Sequence, residues 1–124
     1  MNKISVLFVC LGNICRSPAA EAIFISLLEK KGLTDSFIVD SAGTGSWHIG
    51  KKADSRMRIA AERRDINILS RARQITSKDF DQFNYILAMD DSNFSNIQDL
   101  KNRTVSSDFV FLMKAENLIL IDDY

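Results

Sequence analysis

The sequence predicts an α/β protein with three layers: a doubly wound central parallel β-sheet of about four strands, and helices on both of its faces. That expectation follows from three features of the chain. Short β-branched and aromatic runs alternate with segments of helical periodicity. Glycines and capping residues fall at the joins between them. The 124 residues are 46% hydrophobic, enough for one ordinary core, so a single domain over residues 1–124 is expected.

Residues 4–10, "ISVLFVC", form the first buried strand. After a tight loop, Ser17 is placed to cap a helix with Pro18 at its first position, Glu21 near its positive end and Gly32 at its exit. Ile23, Phe24, Leu27 and Leu28 then share its apolar face. Residues 37–42 form a second strand, closed by the glycine-rich "SAGTGSWHIG" and followed by a helix from Asp54 to about Arg64. In "TSKDFDQF" Thr76 caps a turn with Asp79 three positions on, "NYILAM" is a third strand, and Phe94, Ile97 and Leu100 mark a further short helix.

The end of the chain is less regular. "DFVFLMKAENLILIDDY" holds two apolar runs, of which Leu118 to Ile121 is expected to be the last strand. A doubly wound sheet leads one to expect a closing helix after it, and none is present. One flank of the sheet is therefore expected to be poorly covered, or the chain to be a C-terminally truncated version of a longer one.

Charge narrows the partners. Lysine and arginine total 16 and are balanced by 16 acidic residues, so no global field favours nucleic acid or a membrane surface, and anion recognition has to be local. The apolar run from Ile4 to Leu11 is too short to span a bilayer. With Lys3 and the small residues Ala20 and Ala22 it imitates a signal peptide, but Arg16 and Glu21 stand where a cleavage region would be small and neutral. Two cysteines, Cys10 and Cys15, make no disulfide framework, which points to a reducing cytoplasm.

The chemistry gathers in "FVCLGNICRSP", Phe8 to Pro18. Cys10 stands at the carboxyl end of a strand, where open α/β sheets bind ligands, and the loop after it enters the amino end of a helix. Main-chain N–H groups of such a loop form an anion-sized nest that the helix dipole reinforces, and a phosphate-like oxyanion suits it. The same positive potential favours a thiolate. Arg16 adds a planar fork for two phosphoryl oxygens, Gly12 permits close approach, and Asn13 tolerates a left-handed curl. Ser17 is placed to donate to the sulfur. A nucleotide P-loop is excluded because the GK[ST] ending is lacking. The plainer reading leaves Cys10 a small buried hydrophobe and Arg16 a solvated helix-start residue.

"VCLGNICRSPAAEA" closely resembles the phosphate-binding loop of the low-molecular-weight protein tyrosine phosphatases. "DSAGT", "WHIG", "ADSRM", "RARQI" and "FNYILAMD" resemble later landmarks of that family in the same order, over most of residues 4–100. The resemblance implies hydrolysis of aryl phosphate monoesters, such as phosphotyrosine proteins, through a cysteinyl-phosphate. In it Cys10 is the nucleophile and Arg16 the phosphate clamp. Leu11, Gly12, Asn13, Ile14, Cys15 and Ser17 make up the binding loop, Ser17, Asn13 and Ser41 brace it, and Leu11 and Trp47 wall an aromatic ring. Cys15 also resembles a neighbouring cysteine that forms a reversible disulfide with the nucleophile, against which stands a simple packing role. No cofactor and no metal is implied, and a lone histidine, His48, offers no ligand cluster. A monomer or weak dimer is expected.

Two departures from the family stand out. Its Asp-Pro-Tyr-Tyr acid loop is absent as such, since Pro18 is the only proline; "IDDY" is the nearest substitute, with Asp122 at the acid position, Asp123 where proline would be, and Tyr124 as a stacking wall. A solvated acidic tail is the alternative. Ser70 stands where many relatives carry a histidine that braces the loop asparagine. Two rivals remain beside the phosphatase. A non-catalytic phosphotyrosine- or phosphate-binding module would result if the acid loop had decayed. An arsenate reductase would need further cysteines for its relay, and none follows Cys15.

Overall fold

The structure is a computed structural model, and it describes residues 3–103 and 111–114. Four strands, β1 (Ile4–Cys10), β2 (Phe37–Gly43), β3 (Tyr85–Ala88) and β4 (Phe111–Lys114), form one parallel sheet in the order β2-β1-β3-β4. Helices α1 (Arg16–Lys31), α2 (Ser55–Glu62), α3 (Asp79–Gln82) and α4 (Asp91–Asn102) connect them, with a 3-10 turn at Thr34–Ser36. Strand order reverses between β1 and β3. In open α/β sheets that reversal opens a crevice at the carboxyl ends of the strands, and Cys10 ends β1 there.

β1 is central and buried on both sides, which explains its unbroken apolar run. Leu7 and Val9 point to one face, where they meet Ile86, Phe80, Phe83 and Ile97 from β3, α3 and α4. Val6 and Phe8 point to the other, with Ala20 and Phe24 of α1. Phe24 stacks edge-on against both Phe8 and Phe37, with ring centroids 5.8 Å and 5.6 Å away. A third cluster joins α1 to α2 through Ala19, Met57, Ala60 and Ala61. Small residues on α1 thus let it lie against sheet and helix together.

The structure departs from the sequence reading at two places and adds to it at a third. Ser17 does not cap α1: the helix begins at Arg16, and the capping position, Cys15, makes no side-chain cap hydrogen bond. The Ser17 hydroxyl is turned to Cys10 and the Ala42 carbonyl instead. Pro18 is accommodated because the first-turn N–H groups lack intrahelical acceptors in any case. Leu27 is exposed, leaving Ala19, Ala20 and Leu28 as the buried apolar positions of α1 beside Pro18. The fourth strand comes from the first C-terminal apolar run, at Phe111–Lys114. Leu118 to Ile121, Asp122, Asp123 and Tyr124 lie outside the described residues.

The other joins follow their local chemistry. Gly32 ends α1 in the left-handed region at φ 67°, its N–H reaching back to Glu29 and Leu28. Asp54 caps α2 by accepting from the N–H groups of Arg56 and Met57, and Asp90 caps α4 by accepting from Asn93. Asp79 reaches back to the Thr76 N–H at 2.8 Å, so the acid carries the cap there.

Residues 71–75 form a strap along β2. Gly43 bridges Gln74 in parallel register, and Lys52 bridges Arg71. Arg73 pins the strap: its Nη groups bind both oxygens of Asp79 at 2.9 and 3.1 Å, and its Nε binds Asp40 at 3.1 Å. Burial alone would lower the pKa of this guanidinium, but hydrogen bonds and charge from Asp79 and Asp40 outweigh it and leave the pKa raised. The Asp79 carboxylate is nearly buried, at 4% side-chain exposure.

Asp79→Ala should therefore destabilise the protein by about 2–4 kcal/mol, somewhat less than the roughly 3–5 kcal/mol for breaking a fully buried pair, because Arg73 keeps Asp40 and some solvent. Urea unfolding should show a lower midpoint at an unchanged slope. An unchanged midpoint would mean that the strap does not depend on this pair.

Candidate active site

The loop from Cys10 to Arg16 is shaped by where its carbonyls go. The carbonyl of Cys10 accepts from the Thr44 N–H at 2.9 Å and that of Leu11 from Gly45 at 2.8 Å, continuing the β1–β2 ladder. Ile14 accepts from the Asp54 N–H at 2.6 Å. Peptides are planar and trans, so a carbonyl tied outward turns the next N–H the opposite way. The N–H groups of Leu11, Gly12 and Cys15 are thereby aimed toward the concave side, and no cis peptide interrupts the pattern. The start of α1 completes a nest suited to an anion.

Asn13 sits at the turn of the curl. It lies in the left-handed region at φ 57° and is 2% exposed. Its own N–H points at Cys10 Sγ, 3.2 Å away. Its Nδ2 donates to Ser17 Oγ at 2.8 Å and Ser41 Oγ at 2.9 Å, while its Oδ1 accepts from the Arg73 N–H at 2.9 Å. Ser17 Oγ is 3.0 Å from Cys10 Sγ. The sulfur is thus flanked by an N–H and a hydroxyl, both suited to a thiolate.

The network continues outward. Ser41 Oγ donates to Glu21 Oε1 at 2.5 Å, and the Ser70 hydroxyl also bonds this carboxyl. Burial pushes the Glu21 pKa above the ordinary carboxylate range. The Ser41 bond opposes that rise, Asp40 adds to it, and Ser70 and Arg73 oppose it more weakly. Ser70 therefore braces the loop through Glu21 and Ser41, where a histidine is the expected partner.

Arg16 projects from the first turn of α1 to the mouth of the loop, where its Nη2 pairs with Asp90 Oδ2 at 2.8 Å. Both side chains are about half exposed, at 46% and 41%. Burial raises the pKa of Asp90, but the Asn93 N–H, the Arg16 guanidinium and the Ser92 N–H together outweigh it and hold the carboxyl below its usual range. Asp90 is an anchor for the fork, and its low pKa makes it a poor proton donor.

The remaining predicted residues are placed as follows. Leu11 is half exposed at the rim, and the indole of Trp47 lies over Gly45, occupying the space a Cβ would need there. The His48 ring rests against Gly12. Cys15 packs beside the α1–α2 cluster, and neither it nor Cys10 is in a disulfide among the described residues. Asp122 and Tyr124 lie outside the described residues.

Sequence reasoning missed four positions that matter to this geometry. Gly43 is one: a Cβ there would come within 2.7 Å of the Leu11 carbonyl, so only glycine lets the loop lie against β2. Glu21, Asp90 and Arg73 are the others: Asp90 and Arg73 bind Arg16 and Asn13 from distant parts of the chain, and Glu21 holds Ser41 of β2, which in turn binds Asn13. Asp90 has two uses, capping α4 through the Asn93 N–H and holding Arg16.

The chain matches the family model for low molecular weight phosphotyrosine protein phosphatase over residues 5–117. It is 50% identical over 100 residues to the Schizosaccharomyces pombe protein of that name, covering 80% of this chain and 64% of the relative. Its fold is similar to a protein tyrosine phosphatase from Entamoeba histolytica, with TM-score 0.77 and 48% identity over 78% of this chain and 62% of that one. It is also similar to YfkJ from Bacillus subtilis, with TM-score 0.85 and 41% identity over 98% of this chain and 78% of that one. The chain thus spans somewhat less than two thirds of the length of the first two. On that match over most of its length, the chain belongs to the low molecular weight phosphotyrosine protein phosphatase family.

Proposed function

We propose that the chain is a single phosphatase domain that hydrolyses aryl phosphate monoesters, phosphotyrosine in proteins above all. The observation that carries this reading is the curl of inward N–H groups set directly against Cys10 Sγ, with Arg16 at its mouth. A phosphoryl dianion seated there would have its three oxygens among main-chain donors and its phosphorus in line with the sulfur. No helix among the described residues is long and apolar enough to cross a membrane. The count of two cysteines, neither in a disulfide among the described residues, supports work in a reducing cytoplasm.

The reaction runs in two displacements. Cys10 Sγ attacks phosphorus as the ester P–O bond breaks, and the leaving phenolate takes a proton from an acid. In this reading Asp122 is that acid and Tyr124 a wall for the ring. Water then attacks the cysteinyl-phosphate, the P–S bond breaks, and phosphate leaves with the thiolate regenerated. Asn13 and Ser17 hold the sulfur side of both steps, and Leu11 and Trp47 guide the aryl group.

Cys10→Ser should abolish hydrolysis of both para-nitrophenyl phosphate and a phosphotyrosine peptide. Asp122→Asn should lower kcat on the peptide by about 10²–10⁴, with little effect on para-nitrophenyl phosphate, whose leaving group needs little protonation. Equal losses on the two substrates would contradict the acid assignment. Binding of phosphate with hydrolysis of neither substrate by the unaltered chain would mark a binding module instead.

Asn13→Ala removes the side-chain bonds to Ser17, Ser41 and Arg73 and leaves a residue poorly suited to φ 57°. At 1–3 kcal/mol for orphaned buried partners, kcat/KM on para-nitrophenyl phosphate should fall by about 10–100-fold, while Cys10 remains alkylable. An unchanged rate would show that the curl holds without this side chain.

Glu21 sets a pH dependence. Its folded pKa is raised, so the folded state binds the proton more tightly than the unfolded chain does, and stability falls as pH rises from the ordinary 4.5 through the raised value. Glu21→Gln keeps an acceptor for Ser41 and removes the titration. Denaturation across pH 4–8 should therefore show the variant gaining on the parent as pH rises; a constant difference would contradict this.

A further inference from the structure

A groove of about 320 Å3 leads away from the mouth of the loop, and it shares Leu11 and Trp47 with the site itself. Its floor is Gln74 and Ile75 of the strap, and its far wall is α4. Asn96, Asp99 and Arg103 present one stripe of that helix, at the i, i+3, i+7 spacing, and all are exposed. Arg103 ends the stripe. Its N–H bonds the Asp99 and Leu100 carbonyls and its Nε donates to the Asp99 carbonyl at 3.2 Å, which fixes the head at the C-terminal end of α4. Its Nη groups meet no acceptor among the described residues and form a fork matched to a carboxylate.

Resting on the phosphatase reading, we propose that this groove receives the polypeptide flanking the phosphotyrosine, and that Arg103 selects substrates with an acidic side chain there. Continuity through Leu11 and Trp47 makes the groove the direct path for a chain whose aryl ring stands in the mouth. Length sets the spacing. From Asp90 at the mouth to Arg103 the helix rises about 20 Å, the arginine reaches back about a third of that, and an extended chain advances about 3.3 Å per residue. The acidic residue therefore falls about four positions from the phosphotyrosine. The Asp99 carboxylate disfavours an acidic residue placed nearer, so the preference is one of position as well as charge.

The test compares phosphotyrosine peptides carrying Glu or Lys three to five residues to either side, with para-nitrophenyl phosphate as a substrate too small to enter the groove. At low salt the unaltered protein should favour the best Glu peptide over its Lys counterpart by about three- to tenfold in kcat/KM. Arg103→Glu should reverse that order and Arg103→Gln should erase it, with para-nitrophenyl phosphate turnover unchanged in both. Binding of the same peptides to Cys10→Ser protein should show the same order. Equal handling of Glu and Lys peptides by the unaltered protein would overturn the proposal, as would an Arg103→Glu variant that slows para-nitrophenyl phosphate as much as the peptides. No turnover of any substrate, with the Glu preference kept in binding, would overturn the catalytic reading and support the groove.

Discussion

The site depends on a single asparagine held in a left-handed turn. Asn13 joins the loop to α1 through Ser17, to β2 through Ser41 and to the strap through the Arg73 N–H, while its own amide is turned onto Cys10 Sγ. Its φ of 57° reverses the chain within the loop and lets the neighbouring amides converge. Such a conformation is unfavourable for most residues, and asparagine tolerates it because its short amide finds local partners. Here those partners are hydroxyls and a main-chain amide from separate elements, so the turn is fixed by the fold rather than by local bonding alone.

That dependence explains why the scaffold is built as it is. The loop must press against β2, which only Gly43 allows, and β2 must be held in register at its end, which the strap and its Arg73–Asp79 pair provide. Ser41 must point inward from β2, and Glu21 from α1 fixes its hydroxyl. A half-buried carboxyl is a costly way to orient a serine, since desolvation works against its charge. Asp90 serves at once as the cap of α4 and as the partner of Arg16, so the fork at the mouth is tied to the first turn of a helix on the other side of the sheet. A phosphate entering the loop would offer Arg16 a second anion within its reach.

Much of this was legible in the residues. The run from Ile4 to Cys10 had to be a strand buried on both faces because it lacks alternation, and the parallel order followed from the alternation of strands and helices. The loop chemistry was legible because strand, cysteine, glycine, asparagine, arginine and helix start lie within one short stretch. Ser41 was reached only through family resemblance, because nothing local distinguishes it. Glu21, Gly43, Arg73 and Asp90 act across separations of up to 74 positions, where periodicity and capping patterns carry no information. Ser17 misled for a related reason: a serine before a proline is a good cap by local preference, and a tertiary partner, the sulfur, outcompeted the helix for its hydroxyl.

The account stands on main-chain amides that face a tetrahedral anion above Cys10. Titration of the isotopically labelled protein with orthovanadate, followed by amide NMR, examines those groups one by one. The account predicts that the amides of Leu11 to Ser17 shift together along one saturating curve, and that the curve is lost when inorganic phosphate occupies the site. Unmoved loop amides, with shifts confined to other parts of the surface, would contradict it.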